Sequence, residues 1–296
     1  MRMHPDQVDV TTSVVARLVA EQFPQWRDRR IVPVSSHGTV NRLFWMGEEY
    51  VLRFPLQPNG TSPAELIAEQ EHARRVAPHV TVGVPEPVAV GRAGLGYAGP
   101  WSVFRWIDGE SADRATDYDA VVLAEDLAAF VLALHRIGTG GRTWAGTGRG
   151  GPLAERDEYV RRSLSEAGLI DTVRVQHAWE RCLAATPRAG PDVWIHTDLM
   201  PGNLIMRGGR LTAVIDLGEG QVDDPAVDLM PAWNLLSGPA RATYRRVLDV
   251  DDADWERGRG WSIVQAVPAV AYYVKTNPSM SHLATRTLAA VVDDFD

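Results

Sequence analysis

Residues 195–205 read Ile195-His196-Thr197-Asp198-Leu199-Met200-Pro201-Gly202-Asn203-Leu204-Ile205. The skeleton is His-x-Asp, then four residues, then Asn. Thirteen residues beyond Asn203 stands Asp216, in Val214-Ile215-Asp216-Leu217-Gly218. Two short apolar pieces, Val193–Ile195 and Leu211–Ile215, read as strands that flank the loop and bring three oxygen-bearing side chains to one edge. Phosphoryl transfer needs that inventory. A carboxylate, Asp198, orients the attacking hydroxyl and accepts its proton. Hard oxygen ligands, Asn203 and Asp216, suit Mg²⁺ at nucleotide phosphates. Gly202 is read as the residue that lets the loop turn Asn203 back toward Asp198.

Around this segment the chain changes character. Upstream, the pattern predicts a helix over residues 8–22, a meander of three strands ending at Pro55, a helix from Pro63 to Val76, and two more strands. Beyond Asp108-Gly109, helical periodicity dominates, beginning with residues 118–137. The Gly-rich stretch 138–151 reads as a mobile loop. The expected fold is α+β: a β-rich lobe over residues 1–104, a linker at 105–109, and a helical lobe over 110–296. A cleft between two lobes is a common place for a ligand.

Composition sets the class. The 296 residues are 45% hydrophobic and 23% charged, as in ordinary globular proteins. A net charge of −8 argues against a nucleic-acid partner held through phosphates. No apolar run is long enough to span a membrane, and the polar start lacks a signal-peptide layout, so a cytoplasmic enzyme is expected. The one cysteine, Cys182, is read as a core thiol. Lys275 is the only lysine and lacks flanking glycines, which excludes a Walker-type phosphate loop.

The same motifs resemble those of the aminoglycoside phosphotransferase family, small-molecule kinases with a protein-kinase-like two-lobed fold. That family carries His-Gly-Asp-x-x-x-x-Asn, then Ile-Asp-Phe/Trp, then Gly-Asp-Pro-x-x-Asp-Leu. This chain ends the series with Asp223-Asp224-Pro225-Ala226-Val227-Asp228-Leu229, without insertion or deletion. Tyr50-Val51-Leu52-Arg53-Phe54-Pro55 resembles the strand whose cation holds the nucleotide phosphates. Glu69 resembles its helical partner. Residues 100–109, with Phe104 and Trp106, resemble the linker beside the nucleobase, and residues 121–137 the long helix that opens the large lobe.

The resemblance implies Asp198 as the catalytic base, with Asn203 and Asp216 holding Mg²⁺. It implies nucleotide binding by Arg53, Glu69, Phe104 and Trp106. Ser36 and Gly38 are candidates for a phosphate-covering turn. His196 and Asp228 are read as supports of the loop, Asp228 by accepting backbone N–H groups. Three departures stand out. Arg53 replaces lysine. Thr197 replaces a glycine, and is strained if that position needs positive φ. Glu219 and Asp223 stand where relatives often carry glycine. Thr197, Glu219 and Asp223 are candidate substrate contacts.

The expected reaction moves the γ-phosphate of ATP or GTP to a hydroxyl of a small molecule. An antibiotic of aminoglycoside, macrolide or nucleoside type is the first choice, giving resistance by inactivation. The alternatives are a metabolic acceptor (choline, homoserine or a sugar) and a catalytically silent nucleotide-binding module. The segment between Asp216 and Asp224 is too short for an activation loop, which argues against a protein substrate. A monomer or weak dimer is expected.

Overall fold

The computed structural model describes residues 7–34, 40–168 and 171–295. Ser36 and Gly38 lie outside the described residues. Contacts divide the chain into two units. The first comprises residues up to Pro78, Gly83–Asp108 and Ile215–Glu219. The second comprises His79–Val82, Gly109–Val214 and the chain from Gly220 onward.

The first unit begins with α1 (Thr12–Gln22), whose N-cap Thr11 accepts the Val14 N–H. Strands β1 (Ile31–Pro33), β2 (Asn41–Met46) and β3 (Tyr50–Pro55) follow. Then come α2 (Pro63–Val76), β4 (Pro87–Gly91) and β5 (Trp101–Arg105). The strands form an antiparallel sheet in the order β1-β2-β3-β5-β4. Side-chain alternation sorts its faces. Phe44, Met46, Leu52, Phe54, Trp101 and Val103 pack with Val15, Leu18 and Val19 of α1 into one buried cluster. Arg53, between Leu52 and Phe54, therefore projects from the opposite face, toward α2. That helix starts with a capping box in which Ser62 and Glu65 each bond the other's backbone.

The second unit holds β6 (Glu110–Ser111), α3 (Ala120–His135), α4 (Asp157–Glu166) and α5 (Thr172–Leu183). Next are β7 (Val193–Ile195), β8 (Leu204–Arg207), β9 (Arg210–Val214) and β10 (Gln221–Asp223). The chain closes with α6 (Pro231–Asn234), α7 (Gly238–Leu248), α8 (Asp252–Tyr273) and α9 (Pro278–Asp293). Cys182 is buried on α5, and burial pushes its thiol pKa up to about 12. Asp251 caps α8 by accepting the Asp254 N–H, so the acidic run at 249–254 serves a helix start. Among the described residues, no helix is long and apolar enough to cross a membrane.

The two apolar pieces read as strands, Val193–Ile195 and Leu211–Ile215, both contribute strands, in separate sheets. β7 pairs with β10, whereas β9 pairs with β8 in a sheet ordered β6-β8-β9. Two short strands, β6 and β10, escape sequence reading because they have two and three residues and no full period.

Candidate active site

In the second unit, residues 196–203 connect β7 to β8 and are held from below by Asp228. This carboxylate is fully buried. It accepts the His196 N–H at 3.0 Å and the Thr197 N–H at 3.1 Å, and meets His135 Nε2 at 3.0 Å. The backbone carbonyl of Asp228 is itself fixed by the Tyr244 hydroxyl at 2.8 Å. A buried carboxylate so supplied with donors is a rigid pin for the loop. His196 is also buried, and its Nδ1 accepts the Asp198 N–H at 3.2 Å. That bond assigns the ring proton to Nε2.

The loop turns through a strained residue. Thr197 has φ of 69°. A β-branched side chain rarely adopts this region, because Cβ crowds the backbone. The strain persists because Thr197 is fixed on both sides: its N–H goes to Asp228, and its carbonyl accepts Arg149 Nη1 at 3.1 Å. Thr197→Gly is expected to stabilise the fold by about 0.5–1 kcal/mol, the relief of strain less the entropy cost of glycine. Urea denaturation of the two proteins checks it.

Asp198 lies at the centre of a short network. Asn203 Nδ2 donates to the Asp198 carbonyl at 2.9 Å and to its Oδ2 at 3.2 Å. Gln265 Nε2, from α8, donates to Oδ1 at 2.8 Å, and Arg149 forms an ion pair with the same oxygen. Asn203 does face back toward Asp198, but Gly202 is not the cause. It lies in a 3₁₀ turn, Pro201–Asn203, without positive φ, and a Cβ there would meet nothing within 4 Å.

Arg149 and Gln265 are the functional neighbours that sequence reading missed. Arg149 sits in Gly148-Arg149-Gly150-Gly151, within the stretch expected to be mobile. The segment is instead tied down. Arg156 Nη2 donates to the carbonyls of Gly148 and Gly150 at 2.7 and 2.8 Å, and Trp144 N–H donates to Asp192 at 2.8 Å. Gly151 N–H donates to Asp223. Gly150 has φ of 152° and its α-carbon lies so close to Asp223 that a Cβ would collide with the carboxylate. The glycines here allow close approach rather than motion.

Asp223 is thereby corrected from substrate contact to buried support. Burial pushes its pKa up to about 6, against the lowering effect of the Asp224 and Gly151 N–H groups. Raised in the fold above its usual 3.8, this group binds more protons folded than unfolded between those values. Its contribution to stability therefore declines as pH rises from about 3.8 to about 6, and is constant above. Asp223→Asn, which keeps an acceptor for Gly151, is expected to remove that decline. Thermal melts of both proteins between pH 4 and pH 7 report it.

In the first unit, Arg53 forms ion pairs with Glu69 of α2 and, at 3.2 Å, with Asp216. Burial alone would lower the Arg53 pKa, but the charges and hydrogen bonds of Glu69 and Asp216 outweigh it and raise the value. The guanidinium stands 5.4 Å from the ring centre of buried Phe104. The Trp106 ring packs edge-on against Trp45 at 4.9 Å, and its backbone N–H donates to the Glu49 carbonyl at 2.7 Å. Glu219 is exposed, with its pKa raised by partial burial and by the charges of Glu65 and Glu69. That puts it electrostatically beside the Arg53–Glu69 pair.

The donor atoms suit a magnesium ion. Asn203 commits Nδ2 to Asp198, so its amide oxygen makes no hydrogen bond among the described residues. Asp216 has φ of 66°, and its side chain is 42% exposed with one oxygen on Arg53. Each is by itself a hard oxygen donor of the type that Mg²⁺ accepts, the amide in the second unit and the carboxylate in the first.

Comparison with known proteins bears on the fold and the family. Among curated proteins there is no match. Among solved structures, an APH(2") enzyme in complex with GDP and kanamycin is 17% identical, with a TM-score of 0.72 over 95% of this chain and 98% of that one. An aminoglycoside 2'-phosphotransferase in complex with GDP is 15% identical, with a TM-score of 0.70 over 97% and 100%. The macrolide 2'-phosphotransferase from Brachybacterium faecium, as apoenzyme, is 19% identical, with a TM-score of 0.63 over 94% and 97%. These likenesses establish the kinase-like α+β fold. The model of the phosphotransferase enzyme family matches residues 31–261, from the first strand of the sheet through the 196–203 loop and into α8. The chain is a member of the phosphotransferase enzyme family.

Proposed function

We propose that the chain transfers the γ-phosphoryl group of ATP or GTP to a hydroxyl of a small-molecule antibiotic, inactivating it. The observation that carries this reading is the setting of Asp198, whose loop is pinned by Asp228 and whose carboxylate is oriented by Asn203 and Gln265. In this reading Asp198 orients the acceptor hydroxyl and takes its proton. Arg53, kept cationic by Glu69, leaves Asp216 and grips the nucleotide phosphates in its fork. Asp216 and Asn203 would each offer an oxygen ligand to Mg²⁺, which when bound would neutralise charge on the phosphates. His196 and Asp228 keep the loop in register. Phe104 and Trp106 serve the nucleobase side.

The structural neighbours include aminoglycoside and macrolide phosphotransferases, some with GDP or ADP bound, which supports a nucleotide co-substrate and an antibiotic acceptor. The reading extends to a cytoplasmic enzyme, monomeric or weakly dimeric, with residues 1–104 as the nucleotide lobe, 105–109 as linker and 110–296 as the catalytic lobe. A mass-shift screen tests it. Purified protein, Mg²⁺ and either ATP or GTP meet panels of aminoglycosides, macrolides, nucleoside antibiotics and hydroxylated metabolites. One antibiotic is expected to gain one phosphate, only with Mg²⁺ present. Phosphate gained by a metabolite alone overturns the antibiotic assignment, and nucleotide binding with no transfer across the panels overturns the transfer itself.

A further inference from the structure

A cavity of about 260 Å³ opens in the second unit beside the Asp198 network, and Arg149 and Gln265, the two side chains bonded to Asp198, also line it. Its wall is Trp261, Val264 and Pro268 from α8, Met230, Val227 and the exposed ring of Tyr159. Its charged lining is two arginines, Arg149 and Arg156, and no carboxylate. The local sign is thus the reverse of the chain's net charge of −8. Asp198, bonded to the lining residues Arg149 and Gln265, is already paired with Arg149.

Both guanidiniums keep donors in reserve. Arg149 uses Nη1 for Asp198 and the Thr197 carbonyl, while its Nε and Nη2 make no hydrogen bond among the described residues. Arg156 uses Nη2 for the carbonyls of Gly148 and Gly150 and lies 6.0 Å from the ring centre of Trp261. Its Nε is buried without a partner. A buried N–H on a cation is costly to leave unsatisfied, and an oxyanion is the group that best repays it.

We infer that this cavity is the acceptor site and that it selects a hydroxyl compound with an apolar or aromatic body and an anionic group, held by Arg149 and Arg156, against polycations. The inference rests on the phosphotransfer reading for the fate of the hydroxyl, but the binding preference stands on the cavity alone. A polycation entering here would meet two like charges in a partly desolvated space, where repulsion is least screened. A carboxylate would complete the arginine forks while its apolar body covers Trp261 and Met230.

Ligand-detected NMR titration of the full chain separates the classes with matched probes. Phenyllactate carries ring, hydroxyl and carboxylate. Its methyl ester is neutral, phenylalaninol replaces the acid by an ammonium, and kanamycin is a polycation. Phenyllactate is expected to bind about ten-fold or more tightly than phenylalaninol, the size of one charged hydrogen bond. Arg156→Gln is expected to remove that preference while leaving the ester unchanged, and Arg156→Lys to keep most of it. Tyr159→Glu, at the exposed rim and away from the arginine bonds to backbone, is expected to shift the preference toward phenylalaninol whether or not Arg156→Gln folds. Equal or tighter binding of phenylalaninol or kanamycin by the unaltered protein, or no binding of phenyllactate, overturns the inference. Phosphate transfer is scored separately by mass. Kanamycin phosphorylated with high affinity sinks the selectivity and leaves the transfer reading intact. Hydroxy acids bound but never phosphorylated uphold the cavity and sink the transfer.

Discussion

Asp198→Ala is expected to lower kcat by about 10²–10⁴-fold with a much smaller change in nucleotide affinity. The carboxylate is the group in the network placed to take a proton. Its neighbours Asn203, Gln265 and Arg149 are donors that orient it. The variant should still fold. Asn203 keeps its bond to the residue 198 carbonyl, and the 198 N–H keeps His196 Nδ1, since both involve backbone atoms. Steady-state kinetics on whichever acceptor the mass screen finds, with circular dichroism as a folding control, decides it. Turnover within three-fold of the unaltered protein would remove Asp198 from the chemistry.

Asp228→Ala is expected to act through stability, by about 3–5 kcal/mol. The carboxylate is fully buried and serves two backbone N–H groups and His135. Its loss strands both backbone donors away from water, at roughly 1–3 kcal/mol each, beside a new cavity. It also releases one of the two anchors that hold Thr197 at positive φ. Activity is therefore expected to fall even in cold conditions where the variant remains folded. Asp228→Asn, which retains one acceptor oxygen, should lie between. Urea denaturation gives the first quantity and turnover at low temperature the second. An Asp228→Ala protein as stable as the original would show that the loop's donors find other partners.

The two substitutions separate chemistry from scaffold, which the sequence joins in one motif. Aspartates 198 and 228 are alike on paper: each opens an Asp-Leu-Met-Pro run. Burial distinguishes them. The partly exposed one takes side-chain donors from Asn203, Gln265 and Arg149, whereas the other is enclosed and bound to backbone. A similar contrast divides the two acids at positions 219 and 223. Both were candidates for substrate contact, yet Glu219 is exposed beside Glu65 and Glu69, while Asp223 is sealed under Gly151.

The sequence by itself determined the helices and strands with a full hydrophobic period, the order of the sheet-forming segments, and the residues of the 196–203 loop with Asp216 and Asp228. These features are legible because their spacing is local: a loop of fixed length between two strands constrains residues that are near in the chain. Arg53 was legible only through the resemblance of its strand to the family's; the structure adds that strand alternation sends it to the face away from Leu52 and Phe54. Only the tertiary structure decided that Thr197 has positive φ, that β7 pairs with β10, and that Arg149 and Gln265 reach Asp198 across 49 and 67 positions. No periodicity reports contacts at such separations. They follow from where whole elements pack, and that packing sets both the company Asp198 keeps and the sign of the cavity beside it.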